Sequence, residues 1–257
     1  MRGLLIVKVF LTTVGTLSIW SCSAPKPQVL TIAAAANVQY AVDSLVSVFE
    51  RDAGVKCEVV VSSSGKLTAQ ISKGAPYDVF LSADMKYPEV LFKDGFVKGK
   101  PVIYAQGSLV LWTYSENDQV DLWQLITSGE ITNVAMANPK TAPYGAATME
   151  ALKAMSLLER IESKLIYGES IAQTNHFITS GAAGIGFTAK SVVMTHDMLN
   201  KGHWIEVDPT HYTSIDQGMA IVNHAGYEVP AAQEFYDFML SEKAQYVLQY
   251  FGYQGSQ

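Results

Sequence analysis

Two loops of small residues carry the pattern in this chain that could do chemistry. They cover residues 33–37 (AAAAN) and 62–65 (SSSG), and each follows a strand-like run and opens a helix-like run. Backbone N–H groups at a helix N-terminus have no partner inside the helix and lie at the positive end of its dipole. Two such ends that face one point form an anion-binding site, and small side chains let the anion come close. The loops therefore predict an oxyanion site.

The serines of the second loop also allow a structural interpretation, helix N-capping. A capping hydroxyl that turns towards a cleft can donate to a ligand oxygen instead, so both roles remain open. The segment Ser64-Gly65-Lys66-Leu67 is similar to the end of a phosphate-binding P-loop. That motif needs glycine where Val60 stands and serine or threonine where Leu67 stands, so we reject nucleotide hydrolysis.

Patterns typical of other enzyme and metal-site classes are weak. The glycines in 184–189, with Glu206 after them, loosely match a dinucleotide fingerprint, which normally opens the first strand–helix unit of its domain. No Gly-x-Ser-x-Gly elbow is present. The five histidines show no paired three- or four-residue spacing with one another or with cysteine. We expect no enzyme activity, no cofactor and no direct cation ligands.

The first 22 residues are typical of an export signal. Arg2 and Lys8 supply positive charge, 9–20 is largely apolar, and Cys22 ends the apolar run. Cys22 is similar to the modified cysteine of bacterial lipoproteins, and the alternative is an ordinary signal cut a few residues later. Both interpretations predict a protein that leaves the cytoplasm. The favoured one predicts a periplasmic lipoprotein, attached to the membrane through Cys22 only.

Cys57 is the other of the two cysteines. Once Cys22 is lipidated no internal disulfide can form, so stability must come from core packing. We expect Cys57 to be a buried and inert thiol.

The chain is acidic, with 18 Lys and Arg against 24 Asp and Glu and a net charge of −6. Loss of Arg2 and Lys8 with the leader leaves 16 basic residues against 24 acidic ones, a net charge of −8. Such a charge argues against nucleic acid or anionic lipid as a partner. Long-range attraction does not favour a bound anion either, so local N–H groups and helix dipoles must hold it.

From residue 29 onwards the pattern alternates strand with helix. In the first helix, apolar residues from Val38 to Phe49 recur at three- and four-residue spacing, and Gly54 stops the run. This alternation predicts an α/β fold with mainly parallel sheets flanked by helices. The predicted strands cover 30–34, 56–62, 79–82, 109–114, 134–137, 164–167, 184–187 and 218–222, and the predicted helices cover 38–52, 67–73, 122–128, 146–155, 171–179, 231–240 and 242–250. Since no flexible linker separates the units, we expect two lobes joined by strands, with the ligand in the cleft between them.

Four segments, in this order and spacing, resemble the molybdate-binding subunit of bacterial ABC transporters. They are 33–38 (AAAANV), 62–65 (SSSG), 74–84 (GAPYDVFLSAD) and 250–253 (YFGY), and the resemblance spans about 29–253. It implies the type II periplasmic binding-protein fold, in which two α/β lobes joined by crossing strands clamp a tetrahedral oxyanion. For this chain the resemblance implies one lobe from 29–108 plus 217–257 and a second lobe from 109–216.

The resemblance also implies which residues hold the oxyanion. The first-loop position falls on Asn37, where many members have serine, and the asparagine amide can still donate. The second-loop position falls on Ser64, and the backbone donors of the second lobe fall on Tyr144 and Ile171. Some members add a tyrosine hydroxyl where Phe187 stands in this chain, and phenylalanine has no hydroxyl to donate.

Donors of this kind suit an oxyanion that carries no proton. Molybdate, tungstate and sulfate are fully deprotonated at neutral pH and only accept hydrogen bonds, whereas phosphate keeps a proton and benefits from a carboxylate acceptor. None of the four implied site residues is a carboxylate. Glu169, close to Ile171 in the sequence, keeps phosphate as an alternative.

The resulting hypothesis is a monomeric periplasmic protein that captures molybdate or tungstate and delivers it to the permease of an ABC transporter. One alternative is the same fold tuned to sulfate, phosphate or another small anion. Another is an anion sensor that associates with a signalling partner. An enzyme on this fold is disfavoured because the sequence shows no catalytic constellation.

Overall fold

The computed structural model describes residues 29–115, 121–199, 201–224 and 229–255. The predicted leader, residues 1–22 with Cys22, lies outside them. Within the described part of the chain, no helix combines the length and the apolar character needed to cross a membrane.

Two β-sheets organise the described residues. The strands are β1 Val29–Ala35, β2 Lys56–Ser62, β3 Val79–Leu81, β4 Val97–Gly107, β5 Leu109–Thr113, β6 Val134–Ala137, β7 Leu165–Gly168, β8 Ile185–Ala189, β9 His203–Glu206, β10 Ile215–Val222 and β11 Gln254–Gly255. The first sheet has the order β11-β4-β10-β3-β1-β2, and the second has the order β7-β6-β8-β5-β9. The trios β2-β1-β3 and β7-β6-β8 are parallel, and the remaining pairings are antiparallel.

Helices flank both sheets. They are α1 Gln39–Ala53, α2 Ser64–Ile71, α3 Lys86–Lys93, α4 Leu122–Thr127, α5 Pro143–Ala154, α6 Leu158–Ile161, α7 Ile171–Thr179, α8 Lys190–Val193, α9 Pro230–Met239 and α10 Glu242–Tyr250. Each parallel trio is built from strands that alternate with helices along the chain, as the sequence pattern predicts. The α/β class therefore holds for both sheets. The prediction that the sheets are mainly parallel is wrong, because five of the nine pairings among the described strands are antiparallel.

Helix α1 shows how local sequence fixes an element. Its buried residues are Ala41, Val42, Leu45 and Phe49, which share one face because they recur at three- and four-residue spacing. The helix ends at Gly54, whose φ of 70° is in the left-handed region and whose N–H donates to the carbonyl of Glu50. Glycine accepts this conformation without a Cβ clash, so it terminates the helix where the sequence predicts.

Both faces of the first sheet are covered by helices. Because side chains alternate along β1, Ile32 packs in the layer with α1, α9 and α10, and Ala33 packs in the layer with α2 and α3. The apolar cluster of the second sheet includes residues of α4, α5, α7 and α8. That cluster also contains Ala35, Ala36 and Ala83 from the ends of first-sheet strands, so the two halves share apolar contacts.

Two strand connections join the halves. β4 ends at Gly107 and β5 begins at Leu109, so the chain passes from the first sheet to the second through Ser108. It returns after β9 to β10, where Ile215 pairs with Gly107. The crossing strands therefore lie side by side at the junction.

Several elements differ from the sequence prediction at points that matter for the site. The helices predicted at 67–73 and 146–155 begin three residues earlier, at Ser64 and Pro143. Proline suits the first helical position because its missing N–H would have no partner there. Helix α3 and strand β4 were not predicted. The earlier starts put Ser64 and Tyr144 in the first turns of their helices.

Candidate anion-binding site

A small cavity lies between the two sheets, beyond the carboxyl ends of parallel strands from both. Its lining residues are Ala35, Ala36, Asn37, Ser63, Ser64, Ala83, Ala142, Pro143, Tyr144 and Ile171. All four residues that the resemblance implies therefore line one cavity. None of the lining side chains is charged.

Four helices begin at this cavity. Asn37 lies in the turn before α1, Ser64 is the first residue of α2, Tyr144 is the second residue of α5, and Ile171 is the first residue of α7. The N–H groups of a first helical turn have no acceptor four residues earlier in the helix. Two helices from each half thus direct orphan donors and positive dipole ends towards the cavity.

Three of these helices lack the usual side-chain cap. The N-cap residues of α1, α2 and α5 are Val38, Ser63 and Ala142, and none of them makes a side-chain capping bond. At α7 the Ser170 hydroxyl does accept, from the N–H of Gln173 at 3.4 Å. No first turn of the four helices contains an acidic residue. The positive ends of three helices are therefore left for another acceptor.

This arrangement offers hydrogen-bond donors without a carboxylate. An oxyanion that only accepts can pair with every N–H, whereas a cation or a neutral donor would face unpaired N–H groups. Among the described residues, no group of three or more His, Cys, Asp or Glu is placed to hold a metal ion. The donors around the cavity therefore suit an anion.

The hydroxyl of Ser64 is fixed by the first sheet. Its Oγ accepts a hydrogen bond of 3.0 Å from the backbone N–H of Ala83, which lies just after β3. A serine hydroxyl has one hydrogen to donate, and this contact does not use it. Ser64 can therefore donate from both its hydroxyl and its backbone N–H.

Asn37 has a different arrangement from the one implied by the resemblance. Its side-chain Nδ2 donates to Gln217 Oε1 at 2.7 Å and to Tyr253 Oη at 3.0 Å. Gln217 in turn donates from Nε2 to the carbonyls of Ile215 and Ala83, so its Oε1 must face Asn37. Both amide hydrogens of Asn37 are thus engaged inside the protein. Its backbone N–H is the donor that remains for a ligand.

The loop that contains Asn37 is held from both halves of the molecule. The carbonyl of Asn37 accepts from the Ser191 hydroxyl at 2.6 Å and from the Tyr253 hydroxyl at 2.9 Å. Ser191 belongs to α8, which packs in the second half, and Tyr253 follows α10 in the first. The first loop of the site is therefore locked to the junction.

Tyr144 contributes to the junction with its side chain. Its phenol lies against Gly107, where an added Cβ would overlap the hydroxyl, so β4 must have glycine at that point. The hydroxyl is buried and has no hydrogen-bond partner among the described residues. Burial raises the pKa of Tyr144 well above its usual range, which keeps the phenol neutral.

Contacts across the cleft close the cavity on its outer side. The N–H of Gly65 donates to the carbonyl of Thr141 at 3.0 Å, and the Tyr87 hydroxyl donates to the carbonyl of Lys140 at 3.2 Å. Lys66 forms an ion pair with Glu169. Glu169 therefore pairs with a lysine and does not line the cavity.

The sequence profile of a family described as bacterial extracellular solute-binding protein matches residues 30–254. The chain belongs to this family. It is thus a solute-binding transport protein that acts outside the cytoplasm.

Molybdate-binding relatives are similar to this solute-binding protein over most of its length. ModA of Azotobacter vinelandii is 37% identical over 234 residues, which cover 91% of this chain and 92% of that protein. ModA of Rhodobacter capsulatus is 34% identical, over 86% of each. The solved structure of the Azotobacter vinelandii periplasmic molybdate-binding protein matches with a TM-score of 0.83 and 30% identity, over 89% of this chain and 100% of that one. These matches confirm the resemblance and the two-lobed fold.

Phe187 of the solute-binding protein does not line the cavity. It is buried in β8 within the core of the second sheet, with its ring 6.2 Å from that of Trp123. Phe187 therefore cannot replace the tyrosine donor that the resemblance attributes to some family members at this position.

Sequence reasoning missed several residues of the site. Ser63 lies in the loop 62–65, but only the structure shows that its hydroxyl is unbonded. Gln217, Tyr253 and Ser191 organise Asn37 from 180, 216 and 154 residues away. No local signal marks Gln217 or Ser191 as a partner of Asn37. Tyr253 lies in the segment 250–253 that carries the resemblance, but its bonds to Asn37 were not predicted.

Proposed function

We propose that this protein binds molybdate or tungstate between its two lobes and delivers the oxyanion to the permease of an ABC transporter. The observation that carries the proposal is the convergence of four helix N-termini on one uncharged cavity that offers donors and no carboxylate. The similarity to two molybdate-binding ModA proteins supports this choice of ligand.

The oxyanion is held by donors from both lobes. The first lobe supplies the N–H of Asn37 and the N–H and hydroxyl of Ser64, and the second supplies the N–H groups of Tyr144 and Ile171. Four helix dipoles favour the negative charge although the whole chain carries −6. Since each donor set belongs to one lobe, the anion stabilises the closed arrangement by contacting both.

The proposal also covers the lobes, the oligomeric state and the location of the protein. Its lobes are 29–108 plus 217–257 and 109–216, joined at the crossing strands. It is a monomer, exported by the leader at 1–22 and attached to the periplasmic face of a membrane by lipid on Cys22. It needs no cofactor and catalyses no reaction, because the transported oxyanion is a ligand that leaves unchanged.

Isothermal titration with molybdate, tungstate, sulfate and phosphate in turn tests the proposal. We expect one-to-one binding of molybdate and tungstate, with a melting temperature that rises with anion concentration because the ligand binds the folded state only. Preference for sulfate or phosphate would keep the transport role and change the substrate. Silence with all four anions would contradict the proposal and favour an organic-anion protein or a sensor.

A further inference from the structure

Ser63 carries a polar group that the fold leaves unused. Its side chain is 3% exposed, lines the cavity, and has an Oγ without a hydrogen-bond partner among the described residues. A buried hydroxyl without a partner costs free energy in a folded protein. Its presence in the wall of the site therefore needs a reason.

Helix capping does not supply that reason. Ser63 has the extended backbone of an N-cap, with φ −73° and ψ 149°, and its carbonyl accepts the N–H of Leu67. In the same position before α7 and α10, Ser170 and Ser241 use their hydroxyls to accept from an N–H three residues later. The hydroxyl of Ser63 makes no such bond.

We infer that the Ser63 hydroxyl is a further donor to the bound oxyanion, adjacent to that of Ser64; this rests on the proposed function. The two serines are not equivalent. Ser64 Oγ is oriented by the N–H of Ala83, whereas nothing in the described residues orients Ser63 Oγ. The anion oxygen is the partner that the Ser63 hydroxyl lacks, so this residue is satisfied only in the complex.

Loss of the Ser63 hydroxyl should weaken anion binding without lowering the stability of the free protein. Removal of a hydroxyl that is unpaired in the free protein does not break any bond there, and it removes a buried polar group. Removal of the same hydroxyl from the complex loses a charge-assisted hydrogen bond. A structural serine would show the opposite result, a loss of stability with little change in affinity.

Ser63→Ala in the full-length protein is the first variant to measure, by titration with sodium molybdate and by urea unfolding without ligand. We expect the Kd to rise about ten- to one-hundredfold and the urea midpoint to stay the same or rise. Ser63→Cys keeps the shape of the side chain and offers only a weak S–H donor, so its Kd should rise nearly as much.

Ser241→Ala is the matched control, because this serine caps α10 and does not line the cavity. It should lower the urea midpoint and leave the Kd for molybdate unchanged. If Ser63→Ala binds molybdate as tightly as the parent, or lowers the midpoint as Ser241→Ala does with no change in Kd, the inference is wrong and the proposed function stands. If the parent itself gives no heat with molybdate, tungstate, sulfate or phosphate, both are overturned.

Discussion

Asn37 Nδ2 and Gln217 Oε1 lie 2.7 Å apart and join the first loop of the site to the strand that re-enters the first sheet. Both side chains are almost completely buried. Gln217 also donates to the carbonyls of Ile215 and Ala83, so one glutamine ties together the crossing strand and two loops that line the cavity. The geometry of the site therefore depends on a residue that does not line it.

Gln217→Met should destabilise the protein and weaken anion binding together. The substitution leaves an amide hydrogen of Asn37 and two carbonyls without their partner, which we expect to lower the free energy of unfolding by about 1–3 kcal/mol. Urea unfolding and titration with molybdate measure the two effects. Gln233→Met, on the exposed face of α9 where Gln233 contacts Asp237, is the control and should change neither. Equal behaviour of the two variants would remove Gln217 from this role.

Ser64→Ala should reduce both affinity and stability. The lost donor costs about 1.5–3 kcal/mol of binding, and the N–H of Ala83 loses its acceptor, which costs about 1–3 kcal/mol of unfolding free energy. This dual loss distinguishes Ser64 from Ser63, for which only affinity should fall. A Ser64→Ala protein with unchanged affinity would show that the hydroxyl does not contact the anion.

Gly145→Ala should displace the first turn of α5 and thereby distort the candidate anion-binding site. A Cβ at Gly145 would overlap the backbone carbonyl of Ala137 at the end of β6, and backbone atoms cannot move aside cheaply. We expect a loss of about 1–3 kcal/mol in stability from overpacking, together with weaker molybdate binding. Gly129→Ala is the matched control because a Cβ there meets nothing within 4 Å. Indistinguishable melting temperatures would contradict the expectation.

The pair Lys66 and Glu169 should contribute little to closure. Their side chains are 43% and 66% exposed, so solvent screens the attraction. A double-mutant cycle of Lys66→Met and Glu169→Gln, read by titration with molybdate, should give a coupling energy of about 0.2–1 kcal/mol that falls in high salt. A larger, salt-independent coupling would indicate a pair that is desolvated during closure.

The thiol of Cys57 should react slowly while the protein is folded. Partial burial, with a smaller contribution from Glu50, raises its pKa to about 11, so little thiolate is present at pH 8. Because the folded pKa lies above the unfolded value, this group stabilises the fold at neutral pH and loses that contribution as pH rises from about 9 to 11. Labelling of a Cys22→Ser variant with a thiol reagent, with and without urea, measures the difference. Fast labelling of the folded protein would contradict it.

Local pattern was enough to predict most elements. The bounds predicted for β2, β6, α7 and α10 are those observed, because apolar periodicity and caps act over a few residues. The elements that were missed include the short α6, α8, β9 and β11 and two longer ones, α3 and β4. The longer two contain residues that usually interrupt a helix or a strand: Pro88 in α3, and Gly99 and Pro101 in β4. Tertiary pairing overrides local propensity there, since β4 is held between β10 and β11.

The sequence by itself also indicated the loops 33–37 and 62–65 as parts of an anion site, because small residues after strands predict helix N-termini that can meet. The positions Tyr144 and Ile171 in the second lobe were implied only by the family resemblance. The sequence did not determine which hydrogen bonds each side chain of the site makes. The amide of Asn37 is engaged by Gln217 and Tyr253, Ser64 is oriented by Ala83, and Ser63 is left without a partner. Only the tertiary structure decided these pairings, because hydrogen bonds between distant residues depend on distances and directions that no local pattern contains.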